Sequence, residues 1–417
     1  MNCTARETNV MLWQIDVRPL VGQCNPWEVY MPVINSIAAF QDDLTAWRRD
    51  LHAHPEVLYE VQRTAALVAE RLRDFACDEV VEGIGRTGVV GVIHGRTRQS
   101  GRVMGLRADM DALPMSEATG LPYASNTPGS MHACGHDGHT TMLLGAARYL
   151  SETRNFDGTA VVIFQPAEEG GAGAKAMLDD GLLERFGIQE FYGLHNWPGL
   201  EKGQFAIRPG PFFATADQFD IYVTGKGGHA AKPQAAVDTT LIAAQMVVAL
   251  QSIVSRNADP LGALVVSVTS IKTDSHAYNV IPARVHMRGT VRSLDKAVQL
   301  MAEERIKTVV GGIAQAFGGA VEVDYRYGYP VMSNHAEQAE FAAKVAETIT
   351  PNVDRDTPIF MGGEDFAFML LARPGAYILL GNGDSAPLHH PEYDFSDDVL
   401  ATGSTYFAKI VEMGMPV

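Results

Sequence analysis

The most restrictive feature of this sequence is the alternation of short apolar segments with segments of helical periodicity. The apolar segments are residues 89–93, 103–107, 160–164 and 191–194. Apolar positions at helical spacing mark residues 34–51 and 61–75, and a further helix is expected to begin near His136. Strands that are apolar along their whole length are buried on both faces, which is typical of a central, largely parallel sheet covered by helices. The sequence therefore predicts an α/β/α sandwich.

The pattern changes near Ala214 and returns after Tyr327. Between these points the sequence predicts strands at 219–224, 263–271 and 285–291, with helices at 239–255 and from Leu294 to about Phe317. Two β-α-β passes of this kind indicate a small α+β domain with a ferredoxin-like plan. We therefore expect a domain of residues 214–327 to be inserted into a first domain made of residues 31–213 and 328–417.

Residues 1–30 contain Pro19 and Pro26 and show no sustained apolar period. We interpret them as an N-terminal extension whose deletion should leave folding and activity nearly intact. Glu7 and Asp16 interrupt the only apolar stretch near the start, so no secretory signal is expected. The four cysteines are scattered without paired spacing, which argues against a disulfide framework and favours the reducing cytoplasm.

The charge of the chain argues against two classes of partner. The formal net charge is −16 at pH 7, whereas binding to nucleic acid or to an anionic membrane surface needs clustered Lys and Arg. The best apolar run, residues 241–254, is interrupted by Gln245 and Gln251 and is too short for a membrane span. We therefore expect no nucleic-acid partner and no membrane association.

Four clusters of reactive side chains lie beside predicted strand ends or turns. They are MHACGHDGH at 131–139, QPAEEG at 165–170, GLHNW at 193–197 and PLHHP at 387–391. Each has an ordinary structural interpretation when it is taken alone: a helix cap with incidental histidines, solvated acids that open a helix, a core histidine and a turn. The acids of RADMD at 107–111 could likewise be ordinary loop residues.

Together the clusters supply five ligand-type side chains, which are Cys134, His136, Glu169, His195 and His389. Five ligands exceed the number that one tetrahedral catalytic ion uses, and they suit two ions with an open position for water. The thiolate favours Zn²⁺, imidazole and carboxylate also accept Mn²⁺, and Co²⁺ is an expected substitute. The sequence thus predicts two divalent ions per subunit at a hydrolytic site.

Two glycine-rich segments do not fit nucleotide sites. The segment GKGGHAAKP at 225–233 lacks the spacing of a phosphate loop. The segment GAGAKA at 171–176 resembles a dinucleotide fingerprint, but no acid closes a second strand at the required distance. We therefore expect no nucleotide cofactor.

In this order the motifs resemble those of the aminoacylase and carboxypeptidase family of dinuclear metallohydrolases, in particular its branch of hippurate hydrolases and indole-acetyl-amino-acid hydrolases. The matching segments are 47–56 (WRRDLHAHPE), 107–114, 131–139, 165–170, 227–233 and 279–282. The resemblance runs from about Met31 to near the C-terminus and leaves residues 1–30 uncovered. It implies a metallopeptidase-like α/β/α catalytic domain with an inserted ferredoxin-like domain that serves as lid and dimer interface.

The resemblance assigns roles to single residues of the catalytic domain. The five ligand-type side chains match the family's metal ligands, with Cys134 in place of a bridging aspartate. Within the pair of histidines, His389 rather than His390 matches the ligand. Glu168 matches the general base, and Asp111 matches an acid that supports the metal site from behind the ligands.

Three residues of the inserted domain also match functional positions of the family. His229 matches a histidine that stabilises the transition state, and the resemblance implies that it serves the partner subunit's site. Asn279 and Arg292 match residues that hold the carboxylate of the substrate, for which the guanidinium fork is well suited. We therefore expect a homodimer or a higher homo-oligomer.

The implied reaction is hydrolysis of the amide bond of an N-acyl L-amino acid, with an aromatic or aliphatic acyl group, to a carboxylic acid and an amino acid. Glu168 takes a proton from the attacking water and returns it to the leaving amine, while His229 stabilises the oxyanion. Three alternatives are a deacylase of N-acetyl- or N-succinyl-diaminopimelate type, a dipeptidase, and a non-catalytic metal-binding scaffold. The presence of Glu168 beside five ligands argues against the scaffold, which has no chemical need for a base.

Overall fold

The computed structural model describes residues 33–417, so the N-terminal extension predicted for residues 1–30 lies outside the described part. The strands of the described part are β1 (Glu79–Ile84), β2 (Gly88–His94), β3 (Val103–Asp109), β4 (Thr159–Gln165), β5 (Glu190–Pro198), β6 (Phe205–Ala206), β7 (Gly210–Phe213), β8 (Asp217–Thr224), β9 (Gly228–His229), β10 (Leu264–Thr273), β11 (Val280–Ile281), β12 (Arg284–Ser293), β13 (Ala320–Arg326), β14 (Met332–Asn334), β15 (Val353–Asp354) and β16 (Gly375–Gly383). Its α-helices are α1 (Asn35–Ala38), α2 (Gln41–Ala53), α3 (Gln62–Asp74), α4 (His136–Thr153), α5 (Gly173–Asp179), α6 (Leu182–Phe186), α7 (Thr239–Ser252), α8 (Lys296–Ala316), α9 (Ala336–Glu347), α10 (Ala367–Ala372) and α11 (Leu400–Gly414).

Eight strands form one large mixed sheet in the order β1-β2-β4-β3-β5-β16-β6-β15. Its centre, β4-β3-β5-β16, is parallel, as the apolar segments predict. Toward the edges the pairs β1/β2, β2/β4 and β16/β6 are antiparallel. The alternation of strands and helices does not reveal the β1/β2 pair, because a short turn with no helix joins these two strands.

Each central strand sends alternate side chains to opposite faces of this sheet, because successive Cβ atoms of a strand point in opposite directions. In β4, Val162 and Phe164 pack in the core beneath α1–α4, α9 and α11, whereas Val161 and Ile163 pack in the core beneath α5, α6 and α10. Burial on both faces explains why these strands are apolar throughout. The result is an α/β/α sandwich, as predicted.

Residues 217–326 form a second sheet, in the order β10-β12-β8-β13, with every pair antiparallel. Helices α7 and α8 cover one face and share a separate apolar core with it. This order along a β-α-β-β-α-β chain is the ferredoxin-like arrangement. We call residues 217–326 the small-sheet module; its role as a lid or a dimer interface stays a prediction.

One helical stretch among the described residues, Thr239–Asn257, is long and apolar enough to cross a membrane by length and composition alone. It includes α7, and 33% of its most apolar 18-residue window is buried. Its buried side chains, among them Ile242 and Met246, belong to the core of the small-sheet module. The core helix of a folded domain meets the same two criteria, so they do not favour a membrane span here.

Candidate metal centre

The ligand-type residues collect at one edge of the large sheet. Asp111 follows β3, Glu168 and Glu169 follow β4, His195 lies near the end of β5, and His389 follows β16. These four strands are parallel neighbours, so their carboxyl ends meet at the same edge. Open α/β sheets place their binding sites at this edge. The fold thus brings together residues that are far apart in the sequence.

Cys134 and His136 reach the same edge from a turn that opens α4. Between them Gly135 has a φ of 90°, a left-handed conformation that favours glycine. A Cβ atom at this position would lie 2.1 Å from Oδ1 of Asn196. The turn therefore requires glycine on two grounds, and it fixes the direction in which the two flanking side chains point.

The five side chains form two overlapping groups that share Cys134. One group is Cys134, His136 and His195, and the other is Cys134, Glu169 and His389; within each group the ligand atoms lie within 4.8 Å of one another. Sγ of Cys134 is 3.5 Å from Nε2 of His195. Nε2 of His389 is 3.2 Å from Oε1 of Glu169. Two ions would be held by these groups, each by two side chains of its own and by Cys134.

The hydrogen bonds around the two buried histidines fit metal ions. Nδ1–H of His136 donates to the carbonyl oxygen of Asp111 at 2.8 Å, and Nδ1–H of His195 donates to that of Asn196 at 2.6 Å. These bonds leave Nε2 of each ring with its lone pair toward the group, as in metal-binding histidines. Nε2 of His136 is buried and has no hydrogen-bond partner. Thiolate, imidazole and carboxylate are the side-chain groups that bind Zn²⁺ in proteins, so the chemistry of these residues also fits a metal ion.

The pKa shifts of Cys134 and Glu169 also indicate a site for positive charge. Burial, followed by the negative charges of Glu169 and Glu168, raises the pKa of the Cys134 thiol well above its ordinary value. A thiolate in this place therefore needs nearby positive charge. Burial works to raise the pKa of Glu169 too, but the hydrogen bond from His389 and the charge of His136 lower it. Glu169 is thus held as an anion at neutral pH.

Glu168 lies beside the two groups and is held mainly through its backbone. The N–H groups of Glu168 and Glu169 donate to the two carboxylate oxygens of Asp111 at 2.9 and 3.1 Å. Burial, followed by the charges of Glu364 and Glu169, raises the pKa of Glu168 well above its ordinary value. A buried carboxyl with a raised pKa can take up a proton and release it, as a general base requires.

A cavity of about 510 Å³ opens onto the centre. Cys134, Glu169, His195 and His389 line it, together with Glu168. The lining also includes the predicted carboxylate-binding residue, Arg292, and the aromatic side chains of Trp197, Phe213 and Tyr329. One cavity is therefore lined by four of the five ligand-type side chains, by the carboxyl group of Glu168, by the guanidinium of Arg292 and by aromatic rings.

The structure places His229 and Asn279 elsewhere in the chain. Both are exposed, and they line a separate cavity of about 470 Å³ on the small-sheet module. His229 pairs with Val280 across β9 and β11, and the carbonyl oxygen of Asn279 accepts a hydrogen bond from Ala230 N–H at 2.9 Å. The two residues are thus neighbours of each other, while Arg292 alone of the three shares the cavity of the ligand groups.

Two other histidines of the sequence clusters have hydrogen-bond partners, whereas the ring nitrogens of the buried His132 have none. Nδ1 of His139 lies 2.6 Å from Oδ1 of Asp109, and its Nε2 accepts from Asn196 N–H at 3.0 Å. Nδ1 of His390 accepts from Glu392 N–H at 3.2 Å. Sequence reasoning missed Trp197, Glu364 and Tyr329 as lining residues. Trp197 lies two positions after His195 on the same strand, and this spacing is the one signal that could have indicated it.

An α/β sandwich with two groups of ligand side chains around a shared cysteine, beside a buried carboxyl, is the architecture of a metal-dependent hydrolase. The chain belongs to the peptidase family M20/M25/M40, which matches residues 105–413.

Two relatives and one solved structure illustrate the similarity. The hippurate hydrolase of Campylobacter jejuni is 41% identical over 382 residues, which are 91% of this chain and 98% of that protein. The N-acyl-L-amino acid amidohydrolase of Geobacillus stearothermophilus is 42% identical over 297 residues, 71% of this chain and 79% of that protein. A Bacillus subtilis structure, described as a dinuclear metal binding peptidase from the M20 family, has a TM-score of 0.79 at 33% identity and covers 91% of this chain and 99% of that one.

Proposed function

We propose that this protein is a metal-dependent amidohydrolase that cleaves the amide bond of N-acyl L-amino acids and uses two divalent ions. The observation that carries the proposal is the pair of ligand groups that share Cys134, with Glu168 beside them in one cavity. The names of the hippurate hydrolase and N-acyl-L-amino acid amidohydrolase relatives support the substrate class. Zn²⁺ and Mn²⁺ are the proposed ions, and Co²⁺ is a proposed substitute.

When bound, the two ions would make a water molecule acidic and polarise the scissile carbonyl group. The residues of the chain supply the proton transfers. The Glu168 carboxylate takes a proton from the attacking water and delivers it to the nitrogen of the leaving amine. Asp111 keeps Glu168 and Glu169 in register because it binds both of their N–H groups. The Arg292 guanidinium binds the carboxylate of the amino-acid part.

We further propose that each active site is composite and that the protein is a homodimer or a higher homo-oligomer. His229 and Asn279 are exposed and lie outside the cavity that holds the ligand groups of their own chain. The small-sheet module also presents two exposed apolar side chains on α7, Leu241 and Val248, and an edge strand, β10. Apolar surface and an unpaired strand edge are features of subunit interfaces. His229 of the partner subunit would then stabilise the oxyanion.

A substrate panel tests the reaction class. We expect metal-loaded protein to hydrolyse hippurate, indole-acetyl amino acids or N-acetyl amino acids faster than N-acetyl- or N-succinyl-diaminopimelate and faster than dipeptides with a free amino group. Release of the free amino acid is measured by a ninhydrin-type assay or by chromatography. Preference for a free α-amino group would make the protein a dipeptidase, and no hydrolysis by a protein that holds two ions would contradict the proposal.

Mixed dimers test the composite site. His229→Ala and Glu168→Gln should each be inactive as homodimers, whereas a mixed dimer has one site with both defects and one with neither. Random exchange at equal concentrations should then recover about one quarter of the wild-type activity per chain. Subunit exchange confirmed by tagged pull-down, with no recovered activity, would mean that His229 acts within its own chain.

The proposed location is the cytoplasm. Cys77 and Cys134 are free thiols, and Cys134 must stay reduced to bind a metal ion. Cell fractionation with an antibody against the protein tests this, and recovery from an oxidising compartment would contradict it.

A further inference from the structure

The loop that carries Glu168 and Glu169 has an unfavourable backbone conformation. Ala167 and Ala172 both have a φ of 55°, and Gly170 between them has a φ of 92°. Two alanines in the left-handed region are disfavoured, because their Cβ atoms crowd the backbone. A loop of this kind keeps its shape when contacts from outside determine it.

One side chain satisfies three backbone groups of this loop. The hydroxyl of Tyr329 donates to the carbonyl oxygen of Glu168 and accepts from the N–H groups of Gly170 at 2.8 Å and Ala172 at 3.2 Å. Tyr329 is 9% exposed, and its burial raises the pKa of the phenol, so the hydroxyl keeps its proton. On the other side the loop is held by Asp111.

Tyr329 also lies in one of the two connections between the small-sheet module and the large-sheet body, which we together call the hinge. It follows β13 by three residues, in the second of the two connections that join the module to the large-sheet body. Its carbonyl oxygen accepts a hydrogen bond at 3.0 Å from the N–H of Ala216, in the first connection. The next residue upstream, Gly328, donates its N–H to Oδ1 of Asp217, where β8 begins, at 3.1 Å. The two connections thus run side by side, and Tyr329 takes part in both the hinge and the loop.

We propose that Tyr329 is a positioning residue that links the hinge of the small-sheet module to the loop carrying Glu168 and Glu169. A change in the position of the module moves Tyr329 and, through its hydroxyl, the backbone that orients both carboxylates. Turnover and metal retention then depend on the hinge, although no residue of the hinge needs to touch an ion. This inference rests on the proposed function, because it assigns Glu168 to proton transfer and Glu169 to metal binding.

The first test is Tyr329→Phe, which removes the hydroxyl and keeps the ring. We expect kcat to fall about 10- to 100-fold and the apparent metal affinity, measured by chelator competition, to fall about tenfold, as for other groups behind metal ligands. KM should stay within about threefold of wild type, because the substrate contacts are unchanged. The matched control is Tyr325→Phe, whose hydroxyl donates to Asp217 at 2.8 Å within the small-sheet module, next to the hinge. The control should keep wild-type kcat and metal affinity.

A hinge variant keeps the proposal falsifiable if Tyr329→Phe does not fold. A Cβ at Gly328 would lie 2.0 Å from the carbonyl oxygen of Ala216, so Gly328→Ala forces the two connections apart. It should lower kcat and metal affinity as Tyr329→Phe does, and the double variant should show little further loss, because both act through one contact.

Three results would overturn the proposal. They are wild-type kcat and metal affinity in Tyr329→Phe, equal losses in Tyr329→Phe and Tyr325→Phe, and wild-type kcat in a folded Gly328→Ala protein. A wild-type protein that holds two ions and hydrolyses no N-acyl amino acid would instead remove the proposed function, independently of these comparisons.

Discussion

Replacing Gly135 with alanine should disturb the metal centre without removing a ligand. Gly135 has a φ of 90°, and an alanine Cβ there would lie 2.1 Å from Oδ1 of Asn196. The left-handed conformation costs a non-glycine residue about 1–2 kcal/mol. The contact must also open by more than about 1 Å to reach an ordinary van der Waals separation. Because Cys134 and His136 flank the glycine, this movement displaces both of their side chains.

A displacement of about 1 Å at a catalytic centre lowers turnover about 100-fold. We therefore expect Gly135→Ala to lose about 100-fold in kcat and to release metal at a lower chelator concentration. Gly129 is the matched control, since it has a φ of 82° and nothing lies within 4 Å of the position of a Cβ. Gly129→Ala should lose about 1–2 kcal/mol of stability while kcat and metal content stay at the wild-type values.

The assay compares kcat for hippurate, metal content by elemental analysis and the free energy of unfolding for the two variants. We expect both variants to lose stability, Gly135→Ala more because of its contact with Asn196, and the loss of turnover to be confined to Gly135→Ala. A Gly135→Ala protein with wild-type turnover and two ions per chain would refute the conclusion that this turn aims Cys134 and His136 at the metal centre.

Three other predictions concern the chemistry, the acyl group and the stability. Glu168→Gln should lower kcat about 10²- to 10⁴-fold with both ions retained, whereas Glu169→Gln should lose metal; wild-type turnover in Glu168→Gln would identify another base. Trp197→Ala should reduce kcat/KM for hippurate about tenfold more than for N-acetylglycine, because it removes an aromatic surface from the cavity; an equal reduction for both would contradict this. Burial acts to lower the pKa of His52, but its hydrogen bond to Asp137 raises it from 6.5 to about 9. The protonated imidazole of His52 therefore stabilises the folded protein fully below pH 6.5, and this stabilisation is lost as the pH rises through 9. The difference in the free energy of unfolding between wild type and His52→Gln should shrink by up to about 3 kcal/mol over this range, as measured by denaturant unfolding.

The central strands could be predicted from the sequence because burial on both faces makes them apolar throughout. The edge strands could not be predicted in this way. Strand β1 contains Glu79 and Glu82 and is partly exposed, so it lacks an apolar run. Strand β13 alternates partly buried with exposed side chains, a signal of period two that could have been used. The helix predicted for residues 34–51 is broken between Ala38 and Gln41, where both halves keep an apolar face and the sequence shows no Gly or Pro.

The ligand-type residues could be found because Cys, His and Glu are informative beside the ends of buried strands. Tyr329 could not, since a single tyrosine after a strand has no distinctive pattern. Its importance comes from hydrogen bonds to a loop about 160 positions earlier in the chain. The choice of His389 rather than His390 came from the family pattern, and the 3.2 Å contact with Glu169 gives it a geometric reason. The role of His229 stays a prediction, because one chain does not bring it to the ligand groups.

The most direct test of the two-ion amidohydrolase is to measure bound metal and turnover in the same samples. Protein stripped with a chelator is titrated with Zn²⁺ or Mn²⁺, and the bound ions are counted by elemental analysis while the hydrolysis of hippurate and N-acetyl amino acids is followed. We predict that turnover is absent in the stripped protein and reaches its maximum when two ions are bound per chain. Full turnover in a preparation with no bound ion, or a maximum at one ion with no further binding, would contradict the account.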